Sequence, residues 1–324
     1  MISKFRSTIL SAVFTGLSIA VIPGAYAADD WPRHPISLIV PYTAGGPVDT
    51  IARMLSPALE KQLGQTIVVE NKPGASGLIG INYTLKAKPD GYTFGFGVLG
   101  IFAIAPHLNK LPFNLDEIGY VSLLSVSPHV LAVNPAAGNG SLTEFVENAK
   151  KHPEAMNFGS PGTGSSTHLD GILLNKAAGI NLTHIPYKGG NNVLNALASN
   201  EIQMMASEIS AALPMKDKLK IVAVMGDRRS PVLPDVPTTK ELGYPDVTAS
   251  SIYGIIAPKA TPIAMMDQFR SALGNALKDQ NVSNYFARQG QLAATSSAQA
   301  YKTMMDTERA KWKKIIEENH IVVK

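Results

Sequence analysis

The chain has 324 residues and contains no cysteine. This absence excludes disulfide bridges, thiol chemistry and a lipid-anchored cysteine at the start of an exported chain. Beyond the N-terminal segment, no apolar run is long enough to span a membrane. The seven histidines are scattered, with no H-x-x-x-H or H-E-x-x-H pair, so the sequence predicts no metal site. We also expect no cofactor.

An excess of charge of either sign is missing too, since 29 Lys and Arg residues face 25 Asp and Glu residues. Near the C-terminus, Lys311, Lys313 and Lys314 surround Trp312, and the same predicted helix carries Glu308, Glu317 and Glu318. This pattern is typical of a solvated amphipathic helix face. We therefore expect no nucleic-acid partner.

Residues 1–27 have the three parts of a secretion signal. Lys4 and Arg6 give the charged start, residues 9–22 form an apolar core, and Ala25-Tyr26-Ala27 fits a small-x-small cleavage site before Ala28. The apolar core is too short for a membrane span and is followed by Pro23-Gly24. The segment predicts export and a periplasmic location for the mature chain.

Strand-like and helix-like runs alternate along the mature chain, which predicts an α/β fold with mostly parallel sheets flanked by helices. Its roughly 300 residues are enough for two lobes with separate cores. We expect residues 28–130 and 252–324 to form lobe 1 and residues 131–251 to form lobe 2. The chain would cross between them near 125–134 and 245–255.

The segment 41–50 connects an apolar run at 36–40, a predicted strand, to a periodic run at 48–63, a predicted helix. Gly45 and Gly46 open that helix and leave backbone N–H groups at its positive end. Such a loop binds anions without a cationic side chain. The alternative is a connection that needs flexible residues and nothing more.

A similar loop at 159–168 connects a predicted strand at 156–158 to a predicted helix at 166–178. Its glycines and hydroxyl residues supply backbone and side-chain donors with little steric obstruction. Its serines do not have the G-x-S-x-G spacing of a nucleophile elbow. His168 either touches a ligand, caps the helix or packs beneath the loop. The two loops suggest two lobes that offer helix N-termini to one ligand.

Two weaker signals remain. The third loop, Tyr187-Lys188-Gly189-Gly190, follows another predicted strand, and Lys188 faces either an anionic ligand or solvent. Gly95, Gly97 and Gly100 match the spacing of a dinucleotide fingerprint. Because these glycines begin inside a predicted strand that is not the first of its sheet, we expect no nucleotide site.

The motifs P-x-x-A-G-G-x-x-D at 41–49, E-N-K-P-G-A-S-G at 70–77, the loop at 159–168, P-Y-K-G-G at 186–190 and L-P-D-V-P-T at 233–238 occur in this order. In this respect the chain resembles the Bug receptors, the TctC-like solute-binding proteins of tripartite tricarboxylate transporters. The resemblance implies a two-lobed, type II-like periplasmic binding fold (a Venus flytrap) without enzymatic activity. It also implies a monomer that closes on a small carboxylate and delivers it to integral membrane transporter subunits.

The resemblance places ligand contacts in both main loops. Asp49 is acidic, so we expect it to cap the first helix or bind water rather than touch a carboxylate. With neighbouring positions, the predicted ligand-binding residues are Tyr42, Thr43, Ala44, Gly45, Gly46, Asp49, Phe102, Gly162, Thr163, Gly164, Ser165, Ser166, His168, Tyr187, Lys188 and Glu208.

Phe102 and Glu208 are included because the chain departs from the family there. The segment 100–106 is apolar where many relatives are polar, so Phe102 either lines the cleft and favours an aromatic or apolar carboxylate, or packs in the core. Glu208 either selects a cationic or ring-nitrogen group or lies on the surface. Two other functions stay open: a periplasmic sensor for a signalling partner, and an exported α/β hydrolase using Ser165 or Ser166 with His168 as base.

Overall fold

The computed structural model describes residues 31–136, 140–153 and 155–322. The predicted signal segment 1–27 lies outside these residues. From Pro32 onward the described chain forms one compact unit. Its strands are β1 Ile36–Val40, β2 Ile67–Asn71, β3 Thr93–Val98, β4 Ile118–Val133, β5 Asn157–Ser160, β6 Thr183–Pro186, β7 Met204–Glu208, β8 Lys220–Val224, β9 Ser250–Pro258 and β10 Leu292–Ala293.

Helices lie between these strands and follow the last of them. They are α1 Pro47–Leu63, α2 Leu78–Lys86, α3 Ala105–Leu108, α4 Leu142–Lys151, α5 Ser166–Ala178, α6 Gly190–Ala198, α7 Ile209–Ala212, α8 Ile263–Ala276, α9 Gln280–Arg288 and α10 Ala298–Glu318. A π-helical turn, Gly100–Ile104, comes directly before α3. None of the helices in the described ranges is long and apolar enough to cross a membrane.

The strands form a mixed sheet in the order β2-β1-β3-β9-β4-β7-β5-β6, with β8 and β10 also paired to β4. The outer pairs are parallel, as expected: β1 with β2 and β3, and β5 with β6 and β7. The central pairs of β4 and β9 are antiparallel. The α/β class is confirmed, but the sheet is less parallel than predicted, because these two long strands run against all their neighbours.

Local sequence explains the outer elements. All but one residue of β1 are buried, because helices cover both faces of a parallel sheet. The buried face of α1 includes Val48, Ile51, Leu55 and Leu59, at the spacing of one helix side. Such patterns are visible in the sequence and were predicted correctly.

One long strand joins the two halves of the sheet. β4 pairs with β9 over residues 118–128 and with β7 and β8 over residues 129–133. The sequence predicts two shorter strands here, at 121–124 and 130–133, so the single strand is a correction. Ser125, Ser127 and Pro128 interrupt the apolar run, but pairing with β9 keeps them in the sheet. The exact lobe boundaries stay a prediction.

Candidate functional site

A cleft of about 920 Å³ opens where β5 and β7 end and the loops before α5 and α6 begin. Its size suits a small molecule. The cleft lies beyond the carboxyl ends of parallel strands, where open α/β sheets bind their ligands. Of the predicted residues, those lining it are Tyr42, Gly162, Thr163, Gly164, Ser165, Ser166 and Glu208. Those outside the lining are Thr43, Ala44, Gly45, Gly46, Asp49, Phe102, His168, Tyr187 and Lys188.

The second loop is held by its own hydrogen bonds. The Ser165 hydroxyl donates to the Gly162 carbonyl at 2.7 Å and accepts from the His168 N–H at 3.3 Å, which caps α5. The Gly164 N–H donates to His168 Nδ1 at 3.1 Å. The Ser165 hydroxyl and the Gly164 N–H are therefore used within the loop, and His168 packs beneath it.

The first turn of α5 has backbone N–H groups that are not used in the hydrogen bonds of the helix. Its first backbone bond runs from the Leu169 N–H to the Ser165 carbonyl. The N–H groups of Ser166 and Thr167 come before that bond and have no carbonyl four residues earlier inside the helix. Ser166 and Thr163 line the cleft. The positive end of α5 thus faces the cleft with backbone donors.

The first loop is organised around Asp49, which is 3% exposed. Its carboxylate accepts from the Gly45 N–H at 2.8 Å, from Asn71 Nδ2 at 2.9 Å and from Arg53 Nε at 3.0 Å. The Arg53 hydrogen bond outweighs burial and, with the bonds from Gly45 and Asn71, lowers the pKa of Asp49 to about 2. Asp49 therefore shapes the loop, and the cleft wall here is made by Tyr42, Pro47 and Val48.

We expect Asp49→Asn to lower the free energy of unfolding by about 1–2 kcal/mol, since the amide cannot keep the charged bond to Arg53. Because the folded pKa is depressed, the carboxylate stabilises the fold above its unfolded value of 3.8 and loses this effect as the pH falls toward 2. Urea denaturation of both proteins at pH 7 and pH 3 measures the difference. A deficit that does not shrink at the lower pH contradicts this role.

Glycines rather than side chains bring the third loop to the cleft. Gly189 has φ 94° and Gly190 begins α6, and both line the cleft. The Tyr187 hydroxyl instead donates to Glu201 Oε1 at 2.8 Å, and Lys188 is exposed outside the lining. Of the two possibilities for Lys188, the structure shows the solvent-facing one.

An apolar wall follows β3. It is formed by Leu99, Ile101, Ile104 and Leu108. Phe102 is fully buried and its ring meets Tyr120 edge-on, with the centroids 6.2 Å apart. Phe102 therefore lies in the core, because successive residues of a helical turn point in different directions and Ile101 takes the one toward the cleft. The apolar cleft expected from this segment exists, but other side chains make it.

The wall beside α2 was missed by the sequence reasoning. Ala75 and Ser76 line the cleft with left-handed backbones, φ 45° and 55°, between Gly74 and Gly77, whose φ is also positive. Non-glycine residues rarely adopt this conformation, and such strain is common at functional sites. The E-N-K-P-G-A-S-G motif was the signal that could have placed these two residues at the site.

A hydrogen-bonded chain of side chains ends at Glu208. The Asp170 carboxylate lies 2.5 Å from His129 Nδ1, and His129 Nε2 lies 3.0 Å from the Ser251 hydroxyl. Ser251 and Tyr253 donate to Glu208 Oε1 at 2.7 and 2.6 Å. Glu208, Ser251 and Tyr253 all line the cleft. No pattern in the sequence indicates these hydrogen bonds, since the residues that form them are far apart along the polypeptide.

The order Asp170, His129, Ser251 superficially matches a nucleophilic triad, but the chemistry differs. Burial opposes the charged imidazole, yet the charge and hydrogen bond of Asp170 outweigh it and raise the pKa of His129, with Glu208 adding to the effect. The base of such a triad must take the proton of the serine hydroxyl. The Ser251 proton is directed to Glu208.

Other chemistries find little support in the geometry. In the described ranges, no group of three or more His, Cys, Asp or Glu residues could hold a metal ion. Gly95 and Gly97 of the dinucleotide-like pattern lie inside β3, where an added Cβ would come within 2.5 Å of Thr84 and Tyr301. These two glycines permit close packing, as their position in a strand predicted.

Comparison with known proteins gives consistent results. Residues 51–321 match the family model described as tripartite tricarboxylate transporter family receptor. Protein BugT of Bordetella pertussis is 30% identical over 317 residues, covering 96% of this chain and 97% of BugT.

Two solved structures are also similar along most of their length. The periplasmic binding protein BugD has a TM-score of 0.77 at 29% identity, over 91% of this chain and all of BugD. Rpa4515 of R. palustris, solved with adipate, has a TM-score of 0.81 at 27% identity, over 90% of this chain and 99% of the other. These matches also confirm the two-lobed binding-protein fold. The chain belongs to the receptor family of the tripartite tricarboxylate transporters, and it is a solute-binding receptor rather than an enzyme.

Proposed function

We propose that the protein captures a small carboxylate in the cleft and delivers it to the integral membrane subunits of a tripartite tricarboxylate-type transporter. The observation that carries the proposal is the convergence of the N-termini of α5 and α6 on the cleft. Helix N-termini bind anions through backbone N–H groups and the helix dipole. The adipate bound to Rpa4515 supports a carboxylate ligand.

Such a site can supply the binding free energy that a micromolar ligand requires. A micromolar ligand requires roughly −8 kcal/mol of binding free energy. Charge-assisted hydrogen bonds contribute ~1.5–3 kcal/mol each. Several backbone donors, together with apolar contacts to Leu99, Ile101 and Ile104, reach this value after the cost of ordering the ligand. The apolar wall favours a ligand with a hydrocarbon chain or ring as its body.

The setting follows from the family. A receptor of this kind works in the periplasm, and we infer that the protein is exported by its N-terminal segment and acts as a monomer. The site residues that we assign to the ligand are those lining the cleft, above all Thr163, Ser166, Gly189 and Gly190. Tyr42 and Leu99 would contact its body.

A thermal-shift and calorimetry panel tests the proposal. The protein is expressed with its leader, purified, and unfolded and refolded to remove bound ligand. Each acid, from benzoate and nicotinate to aliphatic mono- and dicarboxylates, is compared with its amide. A ligand at one hundred times its Kd adds about 2.7 kcal/mol of stability, which is a readable shift. We expect at least one acid to bind and its amide not to bind; equal binding of acid and amide would refute a carboxylate site.

A further inference from the structure

The cleft carries an unbalanced charge. Among the described residues that line it there is no lysine, arginine or histidine, and Glu208 is the one side chain with a formal charge. Lys188, the nearest candidate from the sequence, lies outside the lining. A ligand that brings only negative charge therefore meets a carboxylate with no cationic side chain in the cleft wall to offset it.

Glu208 is also only half satisfied. Its Oε1 accepts hydrogen bonds from the Ser251 and Tyr253 hydroxyls. Its Oε2 is shielded from solvent and has no hydrogen-bond partner among the described residues. A carboxylate oxygen withheld from water without a donor is unfavourable, so this atom is an acceptor that a ligand donor would satisfy.

The groups next to Glu208 direct hydrogen-bond donors to it. His129 Nδ1 pairs with Asp170 and its Nε2 lies 3.0 Å from the Ser251 hydroxyl, whose proton is directed to Glu208. Burial and the charge of Glu208 raise the pKa of Tyr42 to about 12, and burial with the same charge raises that of Tyr253 well above its ordinary value. These phenols stay neutral donors and add no charge.

Strand pairing places Glu208 beside the second loop. β5 and β7 are parallel neighbours, with Gly159 opposite Met205. Both strands end at the cleft, β5 in the loop that leads to α5 and β7 in Glu208 itself. Adjacent strands lie about 4.8 Å apart, so the N-terminus of α5 and Glu208 are within reach of one small ligand.

We propose that the physiological ligand is a carboxylate that also carries a positively charged nitrogen, held by Glu208 while its carboxylate meets the helix N-termini. This inference rests on the proposed function and specifies its ligand class. It separates this receptor from a neighbour such as Rpa4515, whose bound adipate has carboxylates at both ends. It also assigns Glu208 the role of selecting between such ligands.

The inference is tested with sets of acids that share a carboxylate and a chain length but differ in the group at the opposite end of the chain. The six-carbon set is 6-aminohexanoate, hexanoate and adipate, and the four-carbon set is 4-aminobutyrate, butyrate and succinate. In the wild-type protein we expect the member with a nitrogen to bind best and the dicarboxylate to bind worst in the set that fits. Glu208→Gln should reduce this preference at least tenfold, and Glu147→Gln, the same change on an exposed face of α4, should leave it unchanged.

The outcomes separate the two proposals. Binding of acids but not amides, with the dicarboxylate equal to or better than the amino acid, overturns the inference and leaves carboxylate binding intact. An unchanged preference in Glu208→Gln also overturns it. Equal binding of acids and amides, or no binding in any set, overturns the proposed function and the inference with it. The wild-type ranking decides the question even where Glu208→Gln does not fold.

Discussion

Replacing Gly164 by valine is expected to weaken carboxylate binding more than tenfold in a protein that still folds. Gly164 lines the cleft with φ 79°. A valine side chain at this lining position would occupy space that the ligand needs. The left-handed backbone costs a branched residue about 1–2 kcal/mol, and its relaxation would move the Gly164 N–H away from His168.

Gly179→Val is the matched control for this change. Gly179 follows the C-terminus of α5 with φ 62°, has no heavy atom within 4 Å of an added Cβ, and does not line the cleft. Calorimetry with the best acid of the panel and urea denaturation are applied to both variants. We expect similar losses of stability and a loss of affinity in Gly164→Val alone. Equal affinities in the two variants would show that the second loop does not hold the ligand.

Stability is expected to fall steeply as the pH drops from 6.5 to 4. Burial, with the neighbouring charge of His184, lowers the pKa of His168 to about 4, and burial lowers that of His184 to about 4. The unfolded chain binds protons at both rings near pH 6.5, whereas the folded chain does not until about pH 4. The resulting loss in the free energy of unfolding is up to about 3 kcal/mol for the buried His168 and less for the half-buried His184.

The effect reaches the cleft because His168 Nδ1 accepts the Gly164 N–H, and the His184 ring lies against the His168 ring with the centroids 3.8 Å apart and the planes tilted by 31°. Protonation at that nitrogen breaks the bond and loosens the second loop. Urea denaturation between pH 4 and 8 measures the protons taken up on unfolding. His168→Gln should reduce this uptake at pH 5 by about one. His152→Gln, an exposed control, should not change it. If the free energy of unfolding of His168→Gln depends on pH as strongly as that of the wild type, the assignment of this proton uptake to His168 is wrong.

Above pH 6.5 the opposite trend is expected from His129. Its folded pKa is raised, so the stabilisation that it gives is complete below the unfolded value of 6.5 and is lost as the pH rises through the folded one. Stability should therefore be greatest near neutral pH, with separate histidines responsible for the two sides.

Much of the fold was predictable because its signals are local. The apolar run of β1, the periodicity of α1 and the helical run of α5 lie within short windows, and the predicted bounds are close to those found. The continuity of β4 was not predictable, because it depends on pairing with β7, β8 and β9, which no local sequence pattern indicates.

The same distinction applies to the site. The glycine-rich loops were recognised, but which of their residues line the cleft depends on how each loop satisfies its own donors. Asp49 and His168 illustrate this, because each occupies the polar groups of its own loop. The chain from Asp170 through His129 to Ser251 joins residues 41 and 122 positions apart, so only the folded sheet brings it together.

The continuity of β4 has a mechanical consequence. β4 pairs with β9 along residues 118–128, with bulges only at 121 and 124, and the His129 N–H continues the bonding to the Ala249 carbonyl, so paired strands connect the two halves. A rotation that closes the cleft must twist the paired strands β4 and β9, and the rotation angle is distributed over many of their residues. The amide protons of β4 should therefore exchange slowly with and without ligand. Closure should change the backbone angles of many residues slightly rather than those of one flexible hinge strongly.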